Sequence, residues 1–394
     1  MPGGHPVKVI HREVTSYSGG VPGSPPVPDR VRADACPGVF ATHPAKDGLL
    51  ARVRLPGGAL TGAQAIAVAE CAETLGDGAI HLTSRANLQL RAVRDEGKLV
   101  AALSGAGLLP KPSHERVRNI LGSPLSGLSG GRTDIRPLVA ELDRKLCATP
   151  ELASLPGRFL FAFDDGRGDV AGEGADVAWR AITADSGAVL LAGADTGSRV
   201  PKGEAAAALI ALAVTFQRIR GTAWRMRELG AEKVMALTGT AEPPLRAAAP
   251  PDIGEHDGVV VAAPVLGTVS SAELRVLGRR GAVVVTPWRT LVLSPEQAGA
   301  VPGLLTDPSA PLAGVSACAG SPGCARSLAD VRADARSLSE RGTGGRRVHF
   351  SGCERRCGRP SGDHADVLAE REGYRADGTW VATSDLAVTL RGRQ

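Results

Sequence analysis

The sequence predicts an α+β chain built from a duplicated α/β unit, and three observations carry that prediction. A length of 394 residues with 43% hydrophobic content supports two or more ordinary cores rather than one small module. From Asp47 the chain reads as an extended segment Gly48 to Leu55, a Pro56-Gly57-Gly58 turn, a helix, and a second extended segment Ile80 to Val93. From Asp257 it repeats that course through Gly258 to Leu266, Gly267, a helix, and Ala282 to Leu293. Each helix opens on a capping box, Thr61 with Gln64 and then Ser270 with Glu273, and Thr83 aligns with Thr286. The alternative is chance likeness between two common strand-turn-helix-strand passages.

Composition narrows the function classes. With 46 Lys and Arg against 41 Asp and Glu, and only 3% aromatic residues, the chain lacks the basic, aromatic-interleaved surface that nucleic acid requires. The longest apolar run, Ala205 to Phe216, is closed by Glu204 and by Gln217-Arg218; it is too short to cross a bilayer and reads as a buried helix. Residues 1–35 are rich in Gly, Pro and Ser, contain no apolar central segment, and read as a flexible arm without a secretory signal. A cytoplasmic protein is expected, with neither nucleic acid nor membrane as partner. Four of the seven cysteines group near the C-terminus, which in a reducing compartment points to metal ligation rather than a disulfide framework.

The strand faces carry charge. A period of two puts Arg52 and Arg54 on one side of the first segment, and lines up Arg85, Asn87, Gln89 and Arg91 opposite Ala86, Leu88 and Leu90. Such a face suits an anionic ligand, and it equally suits the solvated outside of an antiparallel sheet.

The cysteines fall as Cys318-x5-Cys324 and Cys353-x3-Cys357. Four thiolates in two short loops can hold tetrahedral zinc or an iron-sulfur cubane. Zinc knuckles usually span roughly two to four residues, so Ala319-Gly320-Ser321-Pro322-Gly323 fits the broader cubane better. An amphipathic helix is expected after Cys324, with Leu328, Val331, Ala335 and Leu338 on one stripe and its positive end toward an anionic cluster. Cys36, Cys71 and Cys147 are scattered and read as packing residues.

These cysteines, preceded by Arg347-Val348-His349-Phe350, resemble the cluster signature of the sulfite and nitrite reductase superfamily. The passage from Asp47 to Gly58 resembles that family's first strand, and His81 to Gln89 its active-face strand. Arg118-Asn119 is similar to a third motif and Leu155-Pro156-Gly157-Arg158-Phe159 to a fourth, so the likeness runs from Asp47 to Arg359. It implies duplicated ferredoxin-like halves in a sulfite/nitrite reductase-like body, with siroheme or another tetrapyrrole on the basic faces beside a [4Fe-4S] cluster. On that plan the chain divides into the arm at 1–35, a first ferredoxin-like half at 36–123, a reductase-like α/β domain at 124–250, a second half at 251–310, and a cluster-binding domain at 311–394. Cys318, Cys324, Cys353 and Cys357 become the cluster ligands, with Cys357 nearest the macrocycle. Arg85, Arg118 and Arg158 become the catalytic candidates, and Arg52, Arg54, Asn87, Gln89 and Arg289 the candidates for the macrocycle's carboxylates.

Departures from the pattern then matter. Sulfite reductases carry two lysines where this chain has Arg158 and Leu160, and Leu160 can neither donate a proton nor bind an anion. Glu354-Arg355-Arg356 also differs from the Pro-Asn-Gly common in those reductases, while Thr286-Pro287-Trp288-Arg289 resembles a passage of the precorrin-3B synthase branch. That resemblance implies an oxidoreductase in which precorrin-3A occupies siroheme's place. Molecular oxygen would hydroxylate the macrocycle at meso carbon 20, and the ring A acetate would close as a γ-lactone, in aerobic cobalamin biosynthesis. An electron donor, unidentified by the sequence, is also implied. A mononuclear non-haem iron goes with this branch; it would want two His and a carboxylate, yet His43, His81, His114, His256, His349 and His364 show no pair at ligand spacing. Two other readings stay open, a siroheme-dependent sulfite or nitrite reductase and a tetrapyrrole-binding scaffold with a structural cluster.

Overall fold

The computed structural model describes residues 36–230, 233–234, 245–338, 343, 346–360 and 363–391; the arm expected over 1–35 lies outside the described residues. The duplicated unit folds as two antiparallel sheets of matching order. One runs His43–Ala45, Gly48–Val53, Leu88–Val93, Ala79–Leu82, and the other Gly254–His256, Val259–Pro264, Leu291–Leu293, Val283–Val285. Each sheet then takes a further strand from the opposite half. Thr268–Ser270 pairs with Ala79–Leu82, and Ala59–Leu60 pairs with Val283–Val285.

This exchange gives both halves one core, in which Val53, Ile80 and Leu88 pack with Val260, Val283 and Leu291. Both expected capping boxes form, at the start of the helices Gly62–Leu75 and Ser271–Arg280. These helices cross at glycines, because a Cβ on Gly62 would stand 2.3 Å from the Gly278 carbonyl oxygen. Gly58 is similarly obligatory: its φ is +74°, and a Cβ there would lie 1.9 Å from the Val285 carbonyl oxygen.

A third sheet runs Ala194–Pro201, Ser186–Leu191, Val177–Ala181, Phe161–Asp164, Ile120–Gly122. Its core holds Phe159, Phe161, Phe163, Trp179 and Phe216, and the apolar run from Ala205 lies in the buried helix Ala205–Ile219 as expected. Ile120–Gly122, placed by the sequence in the first half, pairs parallel with Phe161–Asp164 in this sheet. The fourth sheet runs Val315–Ala317, Val348–Ser351, Ala365–Glu370, Gly373–Ala376, Thr379–Val381.

Two local expectations need correction. The segments Ile80 to Val93 and Ala282 to Leu293 are hairpins rather than single strands, broken at 83–87 and 286–290. Arg85 and Asn87 are therefore turn residues. The helix after Cys324 is short, Val331–Arg336; Val331, Ala335 and Leu338 are buried, but Leu328 falls outside it and is 56% exposed. Among the described residues no helix is long and apolar enough to cross a membrane.

Candidate functional site

The convergence of the four cysteines follows from strand order. Cys318 follows Val315–Ala317, Cys353 closely follows Val348–Ser351, and these strands are parallel neighbours with Ala317 opposite Phe350. Both loops therefore leave the same carboxyl edge, where parallel sheets open their ligand crevices. The Cys318 amide continues the ladder to the Phe350 carbonyl at 2.9 Å, and the Gly352 N–H donates to Cys318 Sγ at 3.2 Å. A Cβ on Gly352 would lie 1.9 Å from Ser327 Oγ, so only glycine allows this approach. The Cys357 thiol is pushed up by burial and then by Cys318, Cys353 and Cys324, so it lies within the field of the other three sulfurs. An anionic cluster held by four thiolates and met by the Gly352 N–H fits these residues.

One arginine from each half grips one cysteine loop. Arg91 Nη2 donates to the Gly323 carbonyl at 2.8 Å while its Nε and Nη2 pair with Asp47 at 2.8 and 2.9 Å. Arg289 Nη2 donates to the Gly358 carbonyl at 2.5 Å, and burial lowers its pKa. Arg289 thus holds the loop beside Cys357 rather than standing open to a carboxylate.

The two hairpin turns are copies of one another. Thr83 Oγ1 accepts from the N–H groups of Arg85 and Asn87 at 3.4 and 3.1 Å; Thr286 Oγ1 accepts from those of Trp288 and Thr290, both at 3.2 Å. Ala86 at φ +54° and Arg289 at φ +61° occupy equivalent left-handed positions. These turns bring Ala86 and Trp288 into an apolar cluster with Leu121, Leu160, Ala162, Val170 and Ala175. Leu160 is 2% exposed there, its N–H held by Asp176 Oδ2 at 2.8 Å.

Arg85 reaches the Gly157 carbonyl at 3.5 Å, and burial first, then Arg225, lowers its pKa to about 10, leaving it cationic at neutral pH. Arg158 lies over the Trp224 ring, 5.3 Å from its centroid. Gly157 and Trp224 both line a cavity of about 420 Å³, together with Arg116, Ser154, Pro156 and Arg220, a size suited to part of a large ligand. Arg52 and Gln89 face each other across paired strands at 3.5 Å, both half-buried.

Two residues expected to meet substrate are instead engaged inside the protein. Arg54 is buried and donates to Glu115, Asn119 and the Pro37 carbonyl; burial lowers its pKa to about 10. Arg118 makes a bidentate pair with Asp143 at 2.6 and 2.7 Å and reaches the Leu108 carbonyl; burial would lower its pKa, but the Asp143 hydrogen bonds outweigh it. A buried guanidinium needs such a counter-charge. Asn87 uses its Oδ1 to hold the Leu55 amide at 2.9 Å. Of the side-chain N–H groups of these residues, Arg54 Nη2 and Asn87 Nδ2 are buried with no acceptor among the described residues.

Among the described residues no three His, Cys, Asp or Glu side chains could hold one metal ion. The ligand set expected for a mononuclear iron does not assemble: His349 and His364 have ring centroids 6.4 Å apart, edge to face, with no third donor completing a site. Sequence reasoning did not single out Arg91 as a loop clamp or Arg332 beside Cys318. Their only sequence signal is position, Arg91 on the basic face and Arg332 eight residues past Cys324.

Comparison with known proteins agrees with this geometry. Residues 43–99 match the nitrite/sulfite reductase ferredoxin-like half domain. A precorrin-3B synthase of Sinorhizobium is 28% identical, covering 87% of this chain and 82% of the relative. A ferredoxin–nitrite reductase of Synechococcus elongatus is also 28% identical, over 89% of this chain and 81% of that protein. The solved structure of the Mycobacterium tuberculosis NirA protein shares the fold with a TM-score of 0.67 at 21% identity, across 87% of this chain and 79% of that one.

Proposed function

The chain belongs to the sulfite and nitrite reductase superfamily, and we propose that within it the protein is a precorrin-3B synthase. The observation that carries this reading is Leu160. Where sulfite reductases place a second lysine, this chain buries an apolar side chain against Ala86, Leu121 and Ala162, with Trp288 packed on the cluster. Six-electron reduction of sulfite or nitrite needs a proton at each stage, and an apolar wall supplies none. Hydroxylation of a carbon atom tolerates such a wall.

In this reading precorrin-3A lies on the basic face of the half domains. Its carboxylates meet Arg85, Arg52 and Gln89, with Arg158 at the rim of the cavity near Trp224. Arg54, Asn87 and Arg118 shape that floor from inside the protein. One atom of O2 enters the macrocycle at carbon 20; the other leaves as water, taking two electrons and two protons from an external reductant. A [4Fe-4S] cluster held by Cys318, Cys324, Cys353 and Cys357 supplies the electron route when bound. Arg91 and Arg289 fix the two loops relative to the substrate face.

The likeness to nitrite reductases makes siroheme the rival occupant, and absorption separates the two. Anaerobically purified protein should show broad cluster absorption without siroheme's strong visible bands, and should bind added precorrin-3A. Stoichiometric siroheme bands would overturn the proposal.

A further inference from the structure

The helix Val331–Arg336 follows the first cysteine loop, and its Arg332 points inward. Arg332 Nη2 donates to Thr268 Oγ1 at 2.6 Å, and both Nη groups reach the Leu266 carbonyl at 3.4 Å. Thr268 lies on the exchanged strand Thr268–Ser270, opposite His81, with its Oγ1 3.2 Å from His81 Nδ1. A guanidinium can only donate, so Thr268 Oγ1 accepts from Arg332, and the direction of its bond with His81 Nδ1 is set by the imidazole tautomer. In either tautomer His81 Nε2 is buried without a hydrogen-bond partner among the described residues.

None of the Arg332 hydrogen bonds among the described residues goes to a carboxylate, Asp330 at the start of its helix acting on it only through space, whereas Arg91, which reaches the cysteine loop from its strand, is ion-paired with Asp47. Leu266, whose carbonyl Arg332 reaches, lies with Val331 in the core against which Cys318 packs, and Arg332 and Cys318 act on each other electrostatically. A largely buried cation beside a cysteine ligand, with no carboxylate hydrogen-bonded to it, is weakly screened. A cluster with four thiolates gains negative charge on reduction, so a nearby cation favours the reduced state.

We propose that Arg332 is a positioning residue for the redox centre, whose charge, aimed by Thr268, raises the reduction potential of a cluster on Cys318, Cys324, Cys353 and Cys357. The step is a one-electron reduction in which no bond forms or breaks, the electron coming from the external donor. This inference rests on the reading that these cysteines hold a cluster.

The test is an EPR-monitored redox titration of the full chain carrying its cluster, comparing wild type with Arg332→Gln, Arg332→Lys and Thr268→Val. Arg332→Gln should lower the reduction equilibrium constant about tenfold, a midpoint about 59 mV more negative. Arg332→Lys, which keeps the charge, should stay close to wild type. Thr268→Val should shift the midpoint the same way by less. Unchanged midpoints in Arg332→Gln and Thr268→Val with iron and sulfide content intact would overturn the proposal. If Arg332→Gln fails to retain a cluster, Thr268→Val decides alone: a negative shift supports the proposal and an unmoved midpoint overturns it. Wild-type protein without a cluster signal would overturn the cysteine reading itself, and that sample is read before any variant.

Discussion

Leu160 sits at 2% exposure in an apolar cluster, so converting it to the lysine of a sulfite reductase does more than restore a group. Leu160→Lys must bury an amine in an apolar cluster whose neighbouring carboxylate, Asp176, is already paired with Arg225, and should cost about 3 kcal/mol or more of stability without creating sulfite reduction. Urea unfolding and a sulfite assay check both halves of that expectation. Asp169 shows the same force on an acid. Burial first raises its pKa to about 7, against the hydrogen bond from Ser123 Oγ at 2.7 Å, with Asp164 adding repulsion. The folded state therefore holds a proton that the unfolded chain has lost. That contribution is full below the ordinary carboxylate value and is gone once pH has risen through about 7. Asp169→Asn cannot ionise, so its stability relative to wild type should grow between about pH 4 and pH 7.5, by roughly 2–4 kcal/mol, and then level. Thermal unfolding across pH reads this, and a flat difference would contradict it. Among the cysteines, Cys357→Ser should lose most of the bound iron and sulfide, because three thiolates remain where the loops present four.

At the scale of elements, the paired hairpin turns carry the site. Thr286→Val removes the acceptor for two backbone N–H groups and should cost about 1–3 kcal/mol. It should also release Arg289 from the Gly358 carbonyl and speed iron loss to a chelator, which a purely local effect on stability would not do. Gly62→Ala is the matching test of the helix crossing; with a Cβ 2.3 Å from a backbone oxygen it should cost about 1–3 kcal/mol in unfolding measurements. The sequence aligned Thr83 with Thr286 correctly yet read both passages as straight strands. The reason is physical: Ala86 and Arg289 adopt positive φ, a conformation that neither residue type advertises. The capping boxes were legible because their hydrogen bonds span only three residues.

For the whole molecule, the exchanged strands decide how the halves behave. Ala59–Leu60 is too short to announce itself in a sequence, yet with Thr268–Ser270 it joins both halves into one core. The partners Glu115 and Asp143, which take up Arg54 and Arg118, were equally hidden, since each pairing depends on the folded chain rather than on spacing. The four cysteines were readable because each pair lies within one loop, and only their meeting needed the parallel strands. On the proposed function, what distinguishes this chain from a reductase on the same frame is the fate of oxygen. The most direct test is reaction of the cluster-loaded protein with precorrin-3A, a reductant and 18O2, followed by mass spectrometry. The account predicts a product heavier by one oxygen atom, with that atom labelled from the gas. Unaltered precorrin-3A, together with turnover of sulfite or nitrite by the same sample, would contradict it.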